Sequence, residues 1–374
     1  MNSCENRSAH ILYNGSEEIM NEKVRVVVDA MGGDYAPEEP VKGALEALQE
    51  DSRIVLILTG PEARIRSELS RYTYEESRVK VVDAPEVIET GEPPVKAIQT
   101  KKNSSLVVGL NLVHKGEADA FVSSGSTGAV LVGGQAIVKK IRGIHRAPLA
   151  PLLPTANGVS LLIDCGASVD ARPAHLVQFA VIGSIYMKSV LGIQNPRVGL
   201  VNIGVEEEKG NALCKETFPL LRECKDINFI GNVEARDIAK GVADVYVTEA
   251  FVGNVILKMY EGVASTLLHE IKGAIYSSAR SKIGGLLIKP ALKSTLKKFD
   301  ATAYGGAPLL GLKGLVVKTH GSSKAVEFKN TVLQCIQFKE EDVNGKIQEF
   351  LAKESAARES GRSDAAASAA GDPQ

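Results

Sequence analysis

One pattern recurs along this chain and constrains its fold more than any other. A short apolar, β-rich run ends at once in glycine or small polar residues, and a helix-like stretch follows. The runs are Arg25–Ala30, Ile54–Thr59, Val79–Asp83, Ala120–Ser123, Ser160–Asp164, Val198–Ile203, Asn228–Gly231 and Val245–Thr248. Most are continuously apolar rather than alternating, as strands covered on both faces must be. Helical stretches stand among them at Glu38–Glu50, Ala129–Lys140, Pro173–Leu191 and Asn254–Ser278. This order predicts an α/β fold, a doubly wound, mostly parallel sheet in a three-layer α/β/α arrangement. No repeat or composition shift divides the chain, so one α/β domain is expected over 24–345. A polar extension precedes it at 1–23 and a low-complexity tail follows at 346–374. The stretch from Glu354 on, rich in Ala, Ser and Gly, reads as frayed, with a helical extension as the alternative.

Composition removes several classes of function. Lys+Arg total 44 against Asp+Glu 45, so no global basic field draws nucleic acid. Aromatics are 5% with no Trp, which leaves little for stacking on bases. The five cysteines form no C-x-x-C and the six histidines no H-E-x-x-H, so no disulfide framework or zinc site is indicated. The first 23 residues lack an apolar signal core, and the uncharged stretches Ala120–Val138 and Ala147–Ile163 are broken by glycines and prolines. A reducing cytoplasm is the expected location.

The unusual residues concentrate after the strand runs. Asp29-Ala-Met-Gly-Gly-Asp34, Ser123-Ser-Gly-Ser-Thr-Gly128, Asp164-Cys-Gly-Ala-Ser168, Asn202-Ile-Gly-Val-Glu206, Gly231-Asn232 and Gly253-Asn254 all do so. In a parallel sheet the carboxyl ends of the strands share one edge, where ligands bind. Glycine lets backbone amides approach an anion closely. The candidate lining is therefore Asp29, Gly32, Gly33, Asp34, Gly125, Ser126, Thr127, Gly128, Ser168 and Asn232. Each turn taken singly also reads as an ordinary βα connection, and Asp29 and Asp34 as residues that only hold their turn. Arg172 and His175 stand at the start of a helix, where substrate binding competes with a local hydrogen-bonding role. Lys209 follows a strand end, as a phosphate ligand or a solvated lysine.

A second feature is independent of that edge. From Ile271 to Phe299 there is no acid but seven bases, and Ile283-Gly-Gly-Leu-Leu-Ile288 lies among them. The stretch 271–300 reads as a helical hairpin with an apolar, cationic tip formed by Lys282, Ile283, Leu286, Leu287, Ile288, Lys289 and Lys293. Such a tip suits an anionic membrane surface or an acidic partner. Four bases at about 1 kcal/mol each would raise membrane binding on the order of 10³-fold. A dimer-forming hairpin is the other reading.

Several motifs in order resemble one family. Val26-Val-Val-Asp-Ala-Met-Gly-Gly-Asp-Tyr-Ala-Pro37 is similar to the opening of the bacterial acyl-ACP:phosphate acyltransferases, the PlsX family. So are Pro196–Glu206 with Lys209-Gly210, Asn228–Glu234, Phe251-Val-Gly-Asn-Val255, and Tyr304–Gly311 followed by His320-Gly-Ser322. The resemblance implies an isocitrate/isopropylmalate dehydrogenase-like fold and a homodimer. It also implies reversible transfer of a fatty acyl group from acyl carrier protein to inorganic phosphate. The acyl-phosphate would feed a membrane glycerol-3-phosphate acyltransferase in phospholipid synthesis. Ser126 and Ser168 stand where the family usually has Asn, Thr248-Glu249-Ala250 where it has Cys-Asp-Gly, and Ala235 where it has Gly. Serine keeps a donor with shorter reach.

The chemistry needs no enzyme nucleophile, metal or cofactor, because phosphate attacks and thiolate leaves. The protein must hold the anion beside the carbonyl and stabilise the developing oxyanion. Lys209 is the expected cation and Asn254 the neutral donor. Cys165, at a strand end, offers an acyl-cysteine route but has no identifiable histidine partner. Two readings stay open beside this one. They are a phosphate acetyltransferase or NAD- and metal-dependent dehydrogenase relative, and a non-enzymatic membrane-surface adaptor that binds acyl carrier protein.

Overall fold

The computed structural model describes residues 22–297 and 299–369. Its elements alternate as the pattern predicts: β1 (Val24–Asp29), α1 (Glu38–Glu50), β2 (Ile54–Gly60), α2 (Glu62–Leu69), β3 (Val79–Asp83), α3 (Pro94–Thr100), α4 (Ser105–His114), β4 (Ala120–Ser123) and α5 (Thr127–Gly133), which a π-helical stretch prolongs. Then come β5 (Leu152–Thr155), β6 (Gly158–Ile163), α6 (Pro173–Leu191), β7 (Arg197–Asn202), α7 (Ala212–Glu223), β8 (Asn228–Glu234), β9 (Val245–Val247), α8 (Ala250–Tyr276), α9 (Ala279–Lys297), β10 (Ala307–Leu309), β11 (Leu315–Lys318), α10 (Ala325–Glu340) and α11 (Val343–Ala369). Every run expected as a strand is one.

The strands make two sheets where the pattern predicted one. The first runs β10-β11-β4-β1-β2-β3 and the second β5-β6-β9-β7-β8. Each is parallel apart from one edge strand, β10 against β11 and β5 against β6. Both faces of the first sheet are covered, which explains why its strands do not alternate. Val24, Val26 and Val28 enter one core with α1 and α10, while Val27 enters the other with Phe121 and α4. Each such fully buried aliphatic side chain contributes roughly 1.5–3 kcal/mol.

Among the described residues α6 is the helix long and apolar enough to cross a membrane. Leu176, Phe179, Ala180, Ile182, Tyr186 and Met187 instead pack it into the core. Val343, Ile347 and Leu351 of α11 join the same core at helical spacing. The helix continues to Ala369, so the helical alternative for the tail is the one observed. The extension at 1–23, all but its last two residues, falls outside the described residues, as do Lys298 and 370–374.

Helices α8 and α9 form the expected hairpin, with a correction to its tip. The turn is at Ser277–Ser278, and Ile283–Ile288 lies inside α9. Pro290 deletes one helical amide without ending the helix. Gly285 lets the helices touch rather than breaking one, since a Cβ there would stand 2.4 Å from Ile275 Cγ2.

Candidate active site

Three neighbouring strands of the first sheet, β11, β4 and β1, end side by side, and their connections interlock. Ser123 Oγ donates to Asp29 Oδ2 at 2.7 Å, and the Met31 amide donates to Asp29 Oδ1 at 3.1 Å. Ser124 Oγ donates to the Gly32 carbonyl at 2.7 Å, and the Asp34 amide to the Gly321 carbonyl at 2.8 Å. Burial pushes the Asp29 carboxyl above the usual range against the pull of the Ser105 and Ser123 hydroxyls and the Met31 and Gly32 amides. Asp29 is thus the clasp of the turn. Gly33 has φ +90, and a Cβ on it would meet Ser124 Oγ at 2.2 Å, so only glycine fits there.

The second sheet presents a parallel edge at β6, β9 and β7. Asp164 accepts amides from Leu149, Gly166 and Ala167 at 2.9, 3.1 and 3.1 Å, while its Oδ2 is buried without a partner. Desolvation raises its carboxyl too. Helix α8 begins on the Glu249 side chain, which accepts from the Phe251 and Val252 amides. Glu249 therefore supplies the carboxylate cap of this helix. A Cβ on Gly253 would lie 1.9 Å from the Asp164 carbonyl oxygen, and this close crossing places Asn254. The Asn254 amide donates to the Cys165 carbonyl at 3.0 Å.

A cavity of about 730 Å³ opens between these parts. Asp34, Ser124, Gly125, Thr127, Lys318, Thr319 and Gly321 line it from the first-sheet edge. Leu149, Pro151, Leu152, Leu153 and Pro154 add an apolar wall, and Asn254, Leu257, Lys258, Tyr260 and Glu261 line it from α8. Cys165 also lines it, but burial and the charges of Asp164 and Glu261 push its thiol well above the ordinary value. It is not a poised thiolate.

The cavity gathers Asp34, Gly125, Thr127 and Asn254 of the expected site residues, with Asp29, Gly32 and Gly33 clasped directly behind. Ser126 caps α5 through its own hydroxyl, accepting from the Ala129 amide at 3.4 Å. Gly128 packs on Pro94. Lys209 is exposed on the β7–α7 loop and does not line the cavity. That loop is latched by two asparagines. Asn202 Nδ2 donates to the Lys209 carbonyl at 3.1 Å and Asn232 Nδ2 to the Glu206 carbonyl at 2.8 Å. Ser168 is buried with its hydroxyl unpartnered, and its carbonyl accepts from the Ala250 amide.

Arg172 and His175 lie elsewhere. His175 Nδ1 accepts the Arg172 amide at 3.2 Å, and its ring stands 5.7 Å from that of His145. Burial and then the neighbouring His145, Arg146, Arg172 and Lys140 hold His175 below the ordinary imidazole value. The hydrogen-bonding reading of this helix start fits the geometry. Sequence reasoning missed Lys318, Thr319 and the apolar wall at 149–154. The available signal was a lysine closing the apolar run Leu315-Val-Val-Lys318 just before His320-Gly-Ser322.

Residues 24–346 match the family described as fatty acid synthesis protein. The chain belongs to that family. A putative phosphate acyltransferase of Clostridium perfringens is 51% identical over 332 residues, 89% of this chain and 98% of that protein. The phosphate acyltransferase of Clostridium acetobutylicum is 49% identical over 326 residues, 87% of this chain and 98% of that one. The chain is accordingly an acyltransferase, in the family that its motifs resemble. Among solved structures, a phosphotransacetylase from Streptococcus pyogenes shares the fold with a TM-score of 0.56 at 18% identity, covering 87% of this chain and 96% of that one.

Proposed function

We propose that this enzyme transfers a fatty acyl group between acyl carrier protein and inorganic phosphate. The single observation that carries the reading is the cavity of about 730 Å³, whose lining combines polar strand-end groups with the apolar residues of 149–154. A phosphate oxygen attacks the thioester carbonyl carbon and the carbonyl becomes an oxyanion. The C–S bond then breaks, leaving acyl-phosphate and a carrier thiolate that takes a proton from solvent. Asn254, at the cavity, is the neutral donor for the oxyanion. Lys209 stands outside the cavity on the neighbouring connection, since β7 pairs directly with β9, the strand that leads into α8, and its part in turnover is tested by substitution. An acetyl donor would have no use for the wall, which favours a long-chain substrate over acetyl transfer.

The hairpin supports the remaining parts of the proposal. Phe251, Val255, Met259, Val263 and Leu267 repeat every fourth residue along α8 and are each more than half exposed. Such a stripe suits a second copy of the chain. Ile283, Leu286, Leu287 and Ile288 on α9 are 53–76% exposed, and Lys282, Lys289 and Lys293 are exposed beside them. This is the surface that would rest on the inner, anionic face of the membrane and deliver acyl-phosphate to a glycerol-3-phosphate acyltransferase there. The function is tested by incubating the pure protein with palmitoyl-carrier and phosphate, with palmitoyl-CoA as control. Acyl-phosphate and free carrier thiol should form in equal amounts. Thiol release that ignores phosphate would overturn the reading.

A further inference from the structure

The cavity is lined by three lysines, and two are already neutralised. Lys258 Nζ stands 2.8 Å from Glu261, and Lys324 Nζ stands 3.5 Å from Glu39 and over the Tyr35 ring. Lys318 differs. It is 7% exposed, and among the described residues no carboxylate lies within ion-pair distance of it. Its Nζ donates to the Thr319 carbonyl oxygen. Beside it the Thr319 hydroxyl is buried with no hydrogen-bond partner. A buried ammonium without an ion-pair partner is costly, as is an unpaired hydroxyl. Here the two residues that carry such groups are consecutive and both line one cavity, at the end of the strand paired with β4.

We infer that Lys318 Nζ and the Thr319 hydroxyl form the anion seat of the cavity and hold the phosphate that attacks the thioester. The inference rests on the acyl-transfer reading above for the phosphate's role, though not for its binding. A compact oxyanion supplies what each group lacks, a counter-charge for the ammonium and an acceptor for the hydroxyl. The surroundings do not supply it. Glu327, Asp29 and Asp34 attract the ammonium and Lys258 opposes it, but burial outweighs their sum and brings Lys318 down to about 8. Glu327 accepts from the His320 amide at 3.4 Å, and Asp29 is engaged by its own turn. The ammonium is therefore present at neutral pH and incompletely compensated until an anion arrives.

The test compares the full-length protein with K318M and T319V, titrating inorganic phosphate by 31P NMR at pH 7. Phosphate affinity should fall about tenfold or more in K318M, as expected for a lost charge-assisted contact. It should fall a few-fold in T319V. In turnover, K318M should raise KM for phosphate by a similar factor while KM for the acyl-carrier changes less than about twofold. Thermal stability should not drop in either variant, because K318M removes a buried charge that has no ion-pair partner and T319V a buried hydroxyl that has no hydrogen-bond partner. Wild-type phosphate affinity should also decline as pH rises through about 8, a limb that K318R should lack.

Unchanged phosphate affinity in K318M overturns the assignment. So does a wild-type chain that does not bind phosphate, or a K318M that unfolds, which would make the ammonium structural. A wild-type chain that binds phosphate through Lys318 yet forms no acyl-phosphate supports the seat and removes the acyl-transfer reading instead.

Discussion

The two strand edges carry the same sequence signature and have different fates. Along the first sheet, the turns after β1, β4 and β11 are tied to one another and form the polar side of the cavity. Along the second, the connection after β6 is equally tight around Asp164, whereas the one after β7 leaves Lys209 and its neighbours Glu206, Glu207 and Glu208 exposed. Glycine after a strand thus marks where a chain can turn tightly. What covers the turn decides whether it lines a cavity, and coverage comes from distant segments, here 149–154 and α8.

The largest expected effect falls where the second edge meets the cavity. Gly253→Ala would drive a Cβ into the Asp164 carbonyl, so a loss of about 3 kcal/mol or more is expected in urea denaturation, with turnover falling as Asn254 shifts. A variant of wild-type stability would show that α8 has room to move away. Next, Lys209→Ala should lose roughly 10²-fold in turnover, with phosphate affinity and thermal midpoint unchanged. Full activity would remove the exposed loop from the chemistry and leave the cavity side alone.

A third prediction uses pH. Lys318 sits at about 8 in the folded chain, against about 10.4 for an unfolded lysine. Between those values the unfolded chain binds more protons, so the wild type gains stability as pH rises through that window. K318M lacks this gain. Its thermal midpoint should exceed the wild type's by a few degrees below pH 8 and converge with it near pH 10. A constant gap would mean that the lysine is not buried in solution. The smallest effect is at the latch. Asn232→Ala frees the Glu206 carbonyl and should lower turnover on the order of tenfold at a stability cost of about 1 kcal/mol. Equal turnover would show that the loop holds its place without Asn232.

Much of the fold was legible because its signals are local. Apolar runs bounded by glycine located eight strands, and α1 and α6 match their expected limits. The missed strands are short, and two of them, β5 and β10, are sheet edges, while β11 lies between β10 and β4. β5 contains Pro154, a residue confined to sheet edges because it cannot donate, and β10 and β11 have three and four residues. That the strands divide between two sheets is a matter of long-range pairing, as in β11 against β4, which no local window records. Within the site, Asn254 was legible from its glycine neighbour. Lys318 was not, because a lysine closing a strand reads as solvated until the cavity around it is known. The hairpin tip failed for a related reason. Gly284-Gly285 before Pro290 looks like a break in isolation, and contact with Ile275 makes it a packing face.

The most direct test of the account is a crystal structure of the full chain with phosphate and a non-hydrolysable acyl-pantetheine thioether. The account predicts phosphate density about 3 Å from Lys318 Nζ, with the alkyl chain along Leu149–Pro154 and the ether carbon beside Asn254. Phosphate bound on the 203–210 loop, with the cavity left to solvent, would contradict it.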